Sequence, residues 1–585
     1  MDIEALALTA AKQILKSLHD LEKITPFPLS SCDAAARHSL QEQIQTHLSA
    51  IVALKTRINT CMTIGRIPVE ILARIFFWIV VGTHDTRSSR GTRWITITHV
   101  CRHWRQVALN TPTLWTDICV EGTVEPAATF LKRSKGAQLH IHVEMSLIAP
   151  DIRLLHAVAA ESHRAATLSL DLEQNRFNAM SSSFPSAFPH LRQLIVNISG
   201  DIPIQTISVL TPAFFSTGVD GRNTSTPALE YLKLTNLQIS WANTSFPSTL
   251  RCIIFQVGGM VPTDHPSLVS YLDIVHALQG LPLLEVLHLR GVFRALSSPI
   301  ALPPPVEKHV QLPRLRDMAL YGDPTVSIHI MDHLVIPPDC RIAMRLDGNR
   351  VPEVATYPFY AAPLRAKLAD PIIPVEGKGA LQQVAIDQSS VSFFKRHESS
   401  IVYPHLLVDV IFGYRDRPES LPVFDLMDAV CHQLPICDVS TLVVTGWLPT
   451  NLVWEKILGA MPNIRVLRIT GSLPRVVLSL LGTRERDTVG VLPQDRLPPF
   501  LMPKLERLEL HKVPFRLGEE TWDHSSFVER LCEVLSARSD AGSSPVELTI
   551  TKCTSLWDCD ISELQDVVAG TVDWDEEADY YDSDE

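Results

Sequence analysis

The stretch "PKLERLEL" at residues 503–510 decides how most of this chain folds. Proline opens it, and Leu505, Leu508 and Leu510 are its apolar positions, the last two alternating with polar residues. That alternation predicts a strand with one buried face. The same phrase, Pro-x-φ-x-x-φ-x-φ with φ apolar, recurs as "PHLRQLIV" (189–196), "PALEYLKL" (227–234), "PLLEVLHL" (282–289), "PRLRDMAL" (313–320) and "PNIRVLRI" (462–469). Weaker copies are "TLSLDL" from Thr167, "TLRCIIF" from Thr249, "TLVVTG" from Thr441 and "VELTI" from Val546.

Stretches ahead of these strands read as helices, for example "LVSYLDIVHALQG" (268–280) and "SSFVERLCEVLSARS" (525–539). One helix with one strand cannot bury its apolar side alone, whereas stacked copies can, and that defines a solenoid. The phrase prolines lie 20 residues apart at Pro227 and Pro247 but 41 apart at Pro462 and Pro503, so the array is irregular and carries insertions. The proline-rich "ALSSPIALPPPVEKHV" (295–310) is one. Between 337 and 420 no clean phrase occurs, although "LQQVAID" (381–387) has the pattern of a strand. Residues 119–571 are therefore expected to form an irregular, leucine-rich-repeat-like α/β solenoid with a parallel strand face. Residues 572–585 have too little apolar content to fold and are expected to be a disordered acidic tail.

The N-terminal part uses a different pattern. Leu40, Ile44, Leu48, Ile51, Leu54 and Ile58 recur at helical spacing within 1–60. Fewer than three heptads are covered, so the reading is a helix packed on a neighbouring element, with a coiled coil as the alternative. "IPVEILARIFFWIV" (67–80) then places Pro68 where a helix opens and Ile71, Leu72, Ile75, Phe76 and Ile79 along one stripe. After the polar "THDTRSSRGTR" (83–93), "HVCRHWRQVALNTPTLWTDI" (99–118) reads as a short helix. Its expected apolar face is Val100, Cys101, Trp104, Val107 and Ala108. Pro112 stops it, because proline lacks the N–H and disfavours helical geometry in the residue before it. These short helices carry too many large apolar side chains for their size.

Composition narrows the function. Hydrophobic residues at 46% and charged residues at 20% suit a folded chain. The net charge is −12, but residues 573–585 hold eight acidic and no basic side chains, which leaves −4 for the body. A body so nearly balanced lacks the basic character of a nucleic-acid binder. No run reaches the roughly 18 apolar residues of a membrane span. The N-terminus lacks a basic region of the kind that opens a secretory signal. Eleven scattered cysteines without a CxxC pair fit reduced thiols, and the expected location is cytoplasmic or nuclear.

No grouping for catalysis stands out: there is no P-loop, GxGxxG, GxSxG or HExxH. "LHIHVEM" sets His140, His142 and Glu144 on one strand face, but three residues in simple alternation read as an exposed strand, not a metal site. Cys431, Cys437, Cys553 and Cys559 read as core thiols. No cofactor, metal or enzymatic activity is expected. The acidic tail reads as a solvated end, with an interaction tail as the alternative.

The two N-terminal phrases resemble an F-box, the short three-helix module of fungal and other eukaryotic F-box proteins. The resemblance covers residues 64–118. It rests on Ile67-Pro68-Val69-Glu70-Ile71-Leu72 with Ile75-Phe76, and on Val100-Cys101-Arg102-His103-Trp104 with Ala108, Pro112 and Leu114-Trp115. Ile67 stands where leucine is usual in that family. The resemblance implies a substrate-recognition adaptor of an SCF-type cullin–RING ubiquitin ligase. It would dock on a Skp-type adaptor and so join a cullin scaffold, and its repeats would bind a target protein. The same resemblance assigns adaptor contact to Ile67, Pro68, Ile71, Leu72, Ile75, Phe76, Val100, Cys101 and Trp104. Two other classes stay open: a non-degradative scaffold, and an unrelated fold carrying an enzyme site within 337–420.

Overall fold

The computed structural model describes residues 34–83, 93–120, 124–144, 151–199, 229–241, 244–258, 268–294, 309–337, 339–347, 381–387, 390–395, 405–413, 436–446, 453–482, 500–516, 526–543 and 547–576, with a few isolated positions besides. The chain divides into two compact units, Met1–Trp115 and Thr116–Glu585.

Among the described residues the first unit is helical. Helix α1 (Ala34–Cys61) leads through a short 3-10 turn into α2 (Val69–Thr83). A 3-10 turn over Arg93–His99, helix α3 (Arg102–Asn110) and a 3-10 turn over Pro112–Trp115 complete it. Gly65 is required in the first turn, because a Cβ there would run into the Asn59 carbonyl at the end of α1. Helix α3 ends where the sequence places its stop: Thr111 caps it and Pro112 opens the next turn. Leu40, Ile44, Leu48, Ile51 and Ile58 are exposed along α1 and Leu54 is half-buried; most of the chain before residue 34 lies outside the described residues.

The second unit is built on one sheet. Its first strands are Asp117–Val120 (β1), Leu139–Val143 (β2), Ala165–Glu173 (β3), Gln193–Ser199 (β4), Tyr231–Thr235 (β5), Cys252–Gln256 (β6) and Val286–Arg290 (β7). Val310–Gln311 (β8) and Leu334–Val335 (β10) pair only with each other. Asp317–Gly322 (β9), Arg341–Asp347 (β11), Leu381–Ile386 (β12), Ser390–Lys395 (β13) and His405–Gly413 (β14) form its middle. Thr441–Thr445 (β15), Val466–Thr470 (β16), Arg507–His511 (β17), Glu547–Thr551 (β18) and Thr571–Trp574 (β19) close it. The pairings run β1 through β7, then β9, β11, β14, β13, β12, and β15 through β19, giving a sheet of 17 strands. Every pair is parallel except the two that β13 makes.

All six copies of the phrase yield strands, and so do the four weaker ones. The phrase is a turn followed by a strand. Leu191 N donates to Phe188 O at 3.4 Å, Leu284 N to Leu281 O at 3.2 Å and Leu315 N to Leu312 O at 3.2 Å. Each turn therefore carries the phrase proline at its second position, where a φ fixed near −65° is already correct. The apolar positions that follow stack across the sheet. Leu168, Leu194, Leu232, Ile253, Leu287 and Met318 are successive partners, and all are fully buried. Leu442, Leu467, Leu508 and Leu548 repeat the arrangement near the C-terminus. Burying each such side chain is worth about 1.5–3 kcal/mol.

Helices join the strands and pack on one another. They include α4 (Val124–Arg133), α5 (Ile152–Glu161), α6 (Gln174–Ser181), α7 (Tyr271–Leu278) and α8 (Pro324–His333). Nearer the C-terminus lie α9 (Val453–Gly459), α10 (Pro474–Leu481), α11 (Phe527–Asp540) and α12 (Asp558–Val567). Helix α4 packs on α5, α5 on α6, α7 on α8, α10 on α11, and α11 on α12. This is an α/β solenoid-like arrangement with a parallel sheet.

Two boundaries differ from expectation. Where no phrase was legible, β12 to β14 form an antiparallel meander laid into the sheet in reverse order. Its first turn is made by Asp387, which accepts from Ser390 N and Ser390 Oγ, both at 2.7 Å. At the C-terminus, β19 pairs with β18, and Asp575 accepts from Lys552 N at 2.7 Å. The ordered chain thus continues past 572; residues 577–585 of the expected tail lie outside the described residues. Among the described residues, no helix is long and apolar enough to cross a membrane.

Candidate docking site

Helix α2 is apolar on two sides. Leu72, Phe76 and Val80 follow one another at i, i+4 and i+8 and are buried. They meet a small core made of Trp94, Ile97, Val107, Ala108, Leu114 and Trp115, all buried. Phe76 lies 5.1 Å from the Trp104 ring, and Trp94 meets Trp115 edge-on at 4.8 Å. The buried Trp115 Nε1 donates to the Ala108 carbonyl at 2.8 Å, which ties the last turn to α3.

The second side is Ile71, Ile75, Trp78 and Ile79, again at i, i+4, i+7 and i+8. All four are exposed, Trp78 to 61%. A helix apolar on both sides belongs inside a protein. Here the module fills one side only, and it leaves a contiguous aliphatic and aromatic strip facing outward. Pro68 is exposed at the start of the strip, and its carbonyl accepts from Leu72 N at 2.9 Å to begin the helix.

The expected contact residues therefore separate. Pro68, Ile71, Ile75 and Val100 are exposed. Ile67, Cys101 and Trp104 are half-buried. Leu72, 1% exposed, and Phe76, 0% exposed, are corrected to core positions: a side chain plugged into its own module has no surface left for a partner. The expected face of α3 is corrected too. The helix begins only at Arg102, so Val100 lies in the preceding turn. Cys101 caps the helix, its Sγ accepting from Trp104 N at 3.5 Å.

Sequence reading missed Trp78 as part of the outer strip and Trp94 and Ile97 as part of the core. The signal for Trp78 was present: it lies seven residues after Ile71 and three after Ile75. Trp94 and Ile97 were obscured by the polar run before them. Most of that run (84–92) lies outside the described residues.

The remaining candidates in the second unit are structural. His140 Nδ1 lies 3.1 Å from Thr167 Oγ1, and His142 Nε2 lies 3.7 Å from Asp117. Among the described residues, no group of three His, Cys, Asp or Glu is placed to hold a metal ion. Of the four cysteines read as core thiols, Cys431 and Cys553 are buried, but Cys437 and Cys559 are exposed. Burial pushes the Cys553 thiol up to about 11.

Compared with known families, residues 64–121 match the model of the F-box-like domain. The match begins where the sequence resemblance does and covers both halves of the module, α2 and α3. No curated protein matches the chain.

Proposed function

We propose that this chain is a substrate-recognition adaptor of an SCF-type cullin–RING ubiquitin ligase. Its F-box-like module docks on a Skp-type adaptor through the outer strip of α2, with Ile71, Ile75, Trp78 and Ile79 as anchors and Pro68 at the edge. Leu72 and Phe76 support that strip from beneath. The second unit, read as a leucine-rich-type array, presents the target on the open face of its sheet. The chain supplies proximity: held beside the charged ubiquitin-conjugating enzyme, a target lysine reacts at high effective concentration. The chemistry belongs to the assembled complex, which works in the cytoplasm or nucleus.

The observation that carries this reading is the two-sided apolarity of α2. A module of some fifty residues is marginal by itself. Exposing Ile71, Ile75, Trp78 and Ile79 to water would add a cost with no return unless a partner covers them. Anchors of this kind typically cost about 2 kcal/mol or more when truncated.

The test is co-purification of the tagged full-length chain with a Skp-type adaptor and a cullin, beside the double variant Ile75→Asp with Trp78→Asp. Recovery of both partners by the parent chain and of neither by the variant is the expected result. Recovery of adaptor without cullin replaces the ligase reading with a non-degradative scaffold. Failure of the parent chain to retain adaptor rejects the proposal.

A further inference from the structure

Neighbouring strands, and the residues that lead into them, are linked by ion pairs. Arg192 lies 3.8 Å from Glu230, Arg251 2.8 Å from Glu285, Arg465 3.1 Å from Glu506 and Arg468 2.6 Å from Glu509, and Arg507 pairs with Glu547. Arg468–Glu509 and Arg507–Glu547 join matching positions of β16, β17 and β18, and the other three pairs join the residues immediately before neighbouring strands.

Between β7 and β11 the pattern breaks. Arg290 stands over the Tyr321 ring, 5.8 Å from its centre, with no carboxylate. Arg341 is in register with Asp317, whose carboxylate is 3.2 Å from His288 Nε2. Two exposed arginines, Arg290 and Arg341, thus have one acidic side chain between them. The hydrogen bond from His288 holds the Asp317 carboxyl below the ordinary carboxylate range, so that single negative charge persists.

The floor changes at the same place. Ile254, His288, Ala319 and Ala343 occupy matching positions on β6, β7, β9 and β11. The two alanines leave a depression of about 150 Å3, walled by His288 and Tyr321 and lined also by Arg290, Asp317 and Arg341. At roughly 30 Å3 per water molecule, it has room for one carboxylate side chain with a few waters.

We propose that this depression receives an aspartate or glutamate side chain from an extended acidic segment of the target protein. The inference rests on the reading of the second unit as the target-binding part. Guanidinium groups recognise carboxylates in bidentate geometry, and a charge-assisted hydrogen bond of this kind is about twice as strong as a neutral one. From Arg290 on β7 to Arg341 on β11 the unmatched charge spans three strands, about 10 Å at the usual strand spacing, and the Arg251–Glu285 pair is closed at the start of β6 and β7. That reach suits one or two carboxylates and falls short of a phosphate backbone.

The test uses the full-length chain and fluorescence anisotropy at about 0.15 M salt. Its probes are a short labelled peptide of alternating Glu and Ser, the same peptide with Gln for Glu, a phosphoserine version of the Gln peptide, and a short oligo-dT. The Glu peptide is expected to bind about tenfold or more tighter than the Gln peptide. Arg290→Gln with Arg341→Gln should remove that preference. Ala319→Leu should do the same with no change in charge, by filling the depression. The neutralised distant pair Arg192→Gln with Glu230→Gln should leave it intact. Equal binding of the Glu and Gln peptides, tighter binding of the phosphoserine peptide or oligo-dT, or full binding by both the arginine and Ala319 variants overturns the proposal. Adaptor capture is measured on the same samples. If Ile75→Asp with Trp78→Asp loses the adaptor and keeps the Glu peptide, the two sites are independent. If the parent chain binds the Glu peptide but no adaptor, only the ligase reading falls.

Discussion

The indole Nε1 of Trp115 donates to the carbonyl of Ala108, 2.8 Å away and seven residues earlier in the chain. Both groups are buried, and the carbonyl, which also accepts from Thr111 N at 3.3 Å, ties the turn that follows Pro112 to the end of α3. Trp115→Phe keeps much of the ring but removes the indole donor, leaving Thr111 N alone on that carbonyl. The loss of one such bond costs about 1 kcal/mol. Limited proteolysis of the first unit should therefore be faster in Trp115→Phe than in the parent chain, with cleavage in the second unit unchanged.

Leu72 and Trp78 sit six residues apart on one helix and should respond oppositely to substitution. Leu72→Ala opens a cavity in a tight core, a change that costs about 2–5 kcal/mol. It should lower the stability of the module and weaken adaptor capture only as a consequence of unfolding. Trp78→Asp should leave the circular dichroism and protease resistance of the chain unaltered and abolish capture outright. A destabilised Trp78→Asp would show that the strip is part of the core after all.

In the second unit the two faces of one strand make a similar contrast. Leu508, on β17, is fully buried, whereas its neighbour Glu509 pairs with Arg468 on the open face. Leu508→Ala is expected to cost about 2–5 kcal/mol. Glu509→Gln should cost about 1 kcal/mol or less, the usual range of exposed pairs. Chemical unfolding followed by far-UV circular dichroism would compare them.

Helix α11 opens with a reciprocal cap: Ser526 Oγ accepts from Glu529 N at 3.1 Å, and Glu529 Oε2 accepts from Ser526 N at 2.8 Å. Ser526→Ala should destabilise this end of the solenoid by about 1 kcal/mol. Hydrogen exchange is the local measurement, and faster exchange in the first turn of α11 is expected.

Acid should weaken the region around α7 and α8 through His329. Its ring is 3% exposed and stacked on Tyr271 at 5.2 Å. Burial holds its pKa below the ordinary histidine value, with a smaller contribution in the same direction from His333. The unfolded chain binds this proton first, at about pH 6.5, so the neutral ring's contribution is complete above that pH and is lost as pH falls through it. Thermal unfolding between about pH 7.5 and 5.5 should show a smaller pH-dependent loss in His329→Phe than in the parent chain.

Sequence alone determined the elements whose signals are local. A proline turn followed by period-two alternation needs nothing beyond eight residues, which is why all six phrases became strands with the expected side inward. Pro112 stopped α3 for the same reason, since a missing N–H acts wherever the proline sits. Tertiary structure decided which apolar residues face inward when a segment has a surplus. Along α2 the stripes Leu72–Phe76–Val80 and Ile71–Ile75–Trp78 are equally greasy in one dimension; only the position of Trp94, Trp104 and Trp115 in space selects the first for the core. It likewise decided the meander at β12 to β14, whose reversed order depends on pairings between strands distant in sequence. The surplus of arginine at Arg290 and Arg341 is of that kind too, because whether a charge has a partner is a property of neighbouring strands and not of either strand by itself.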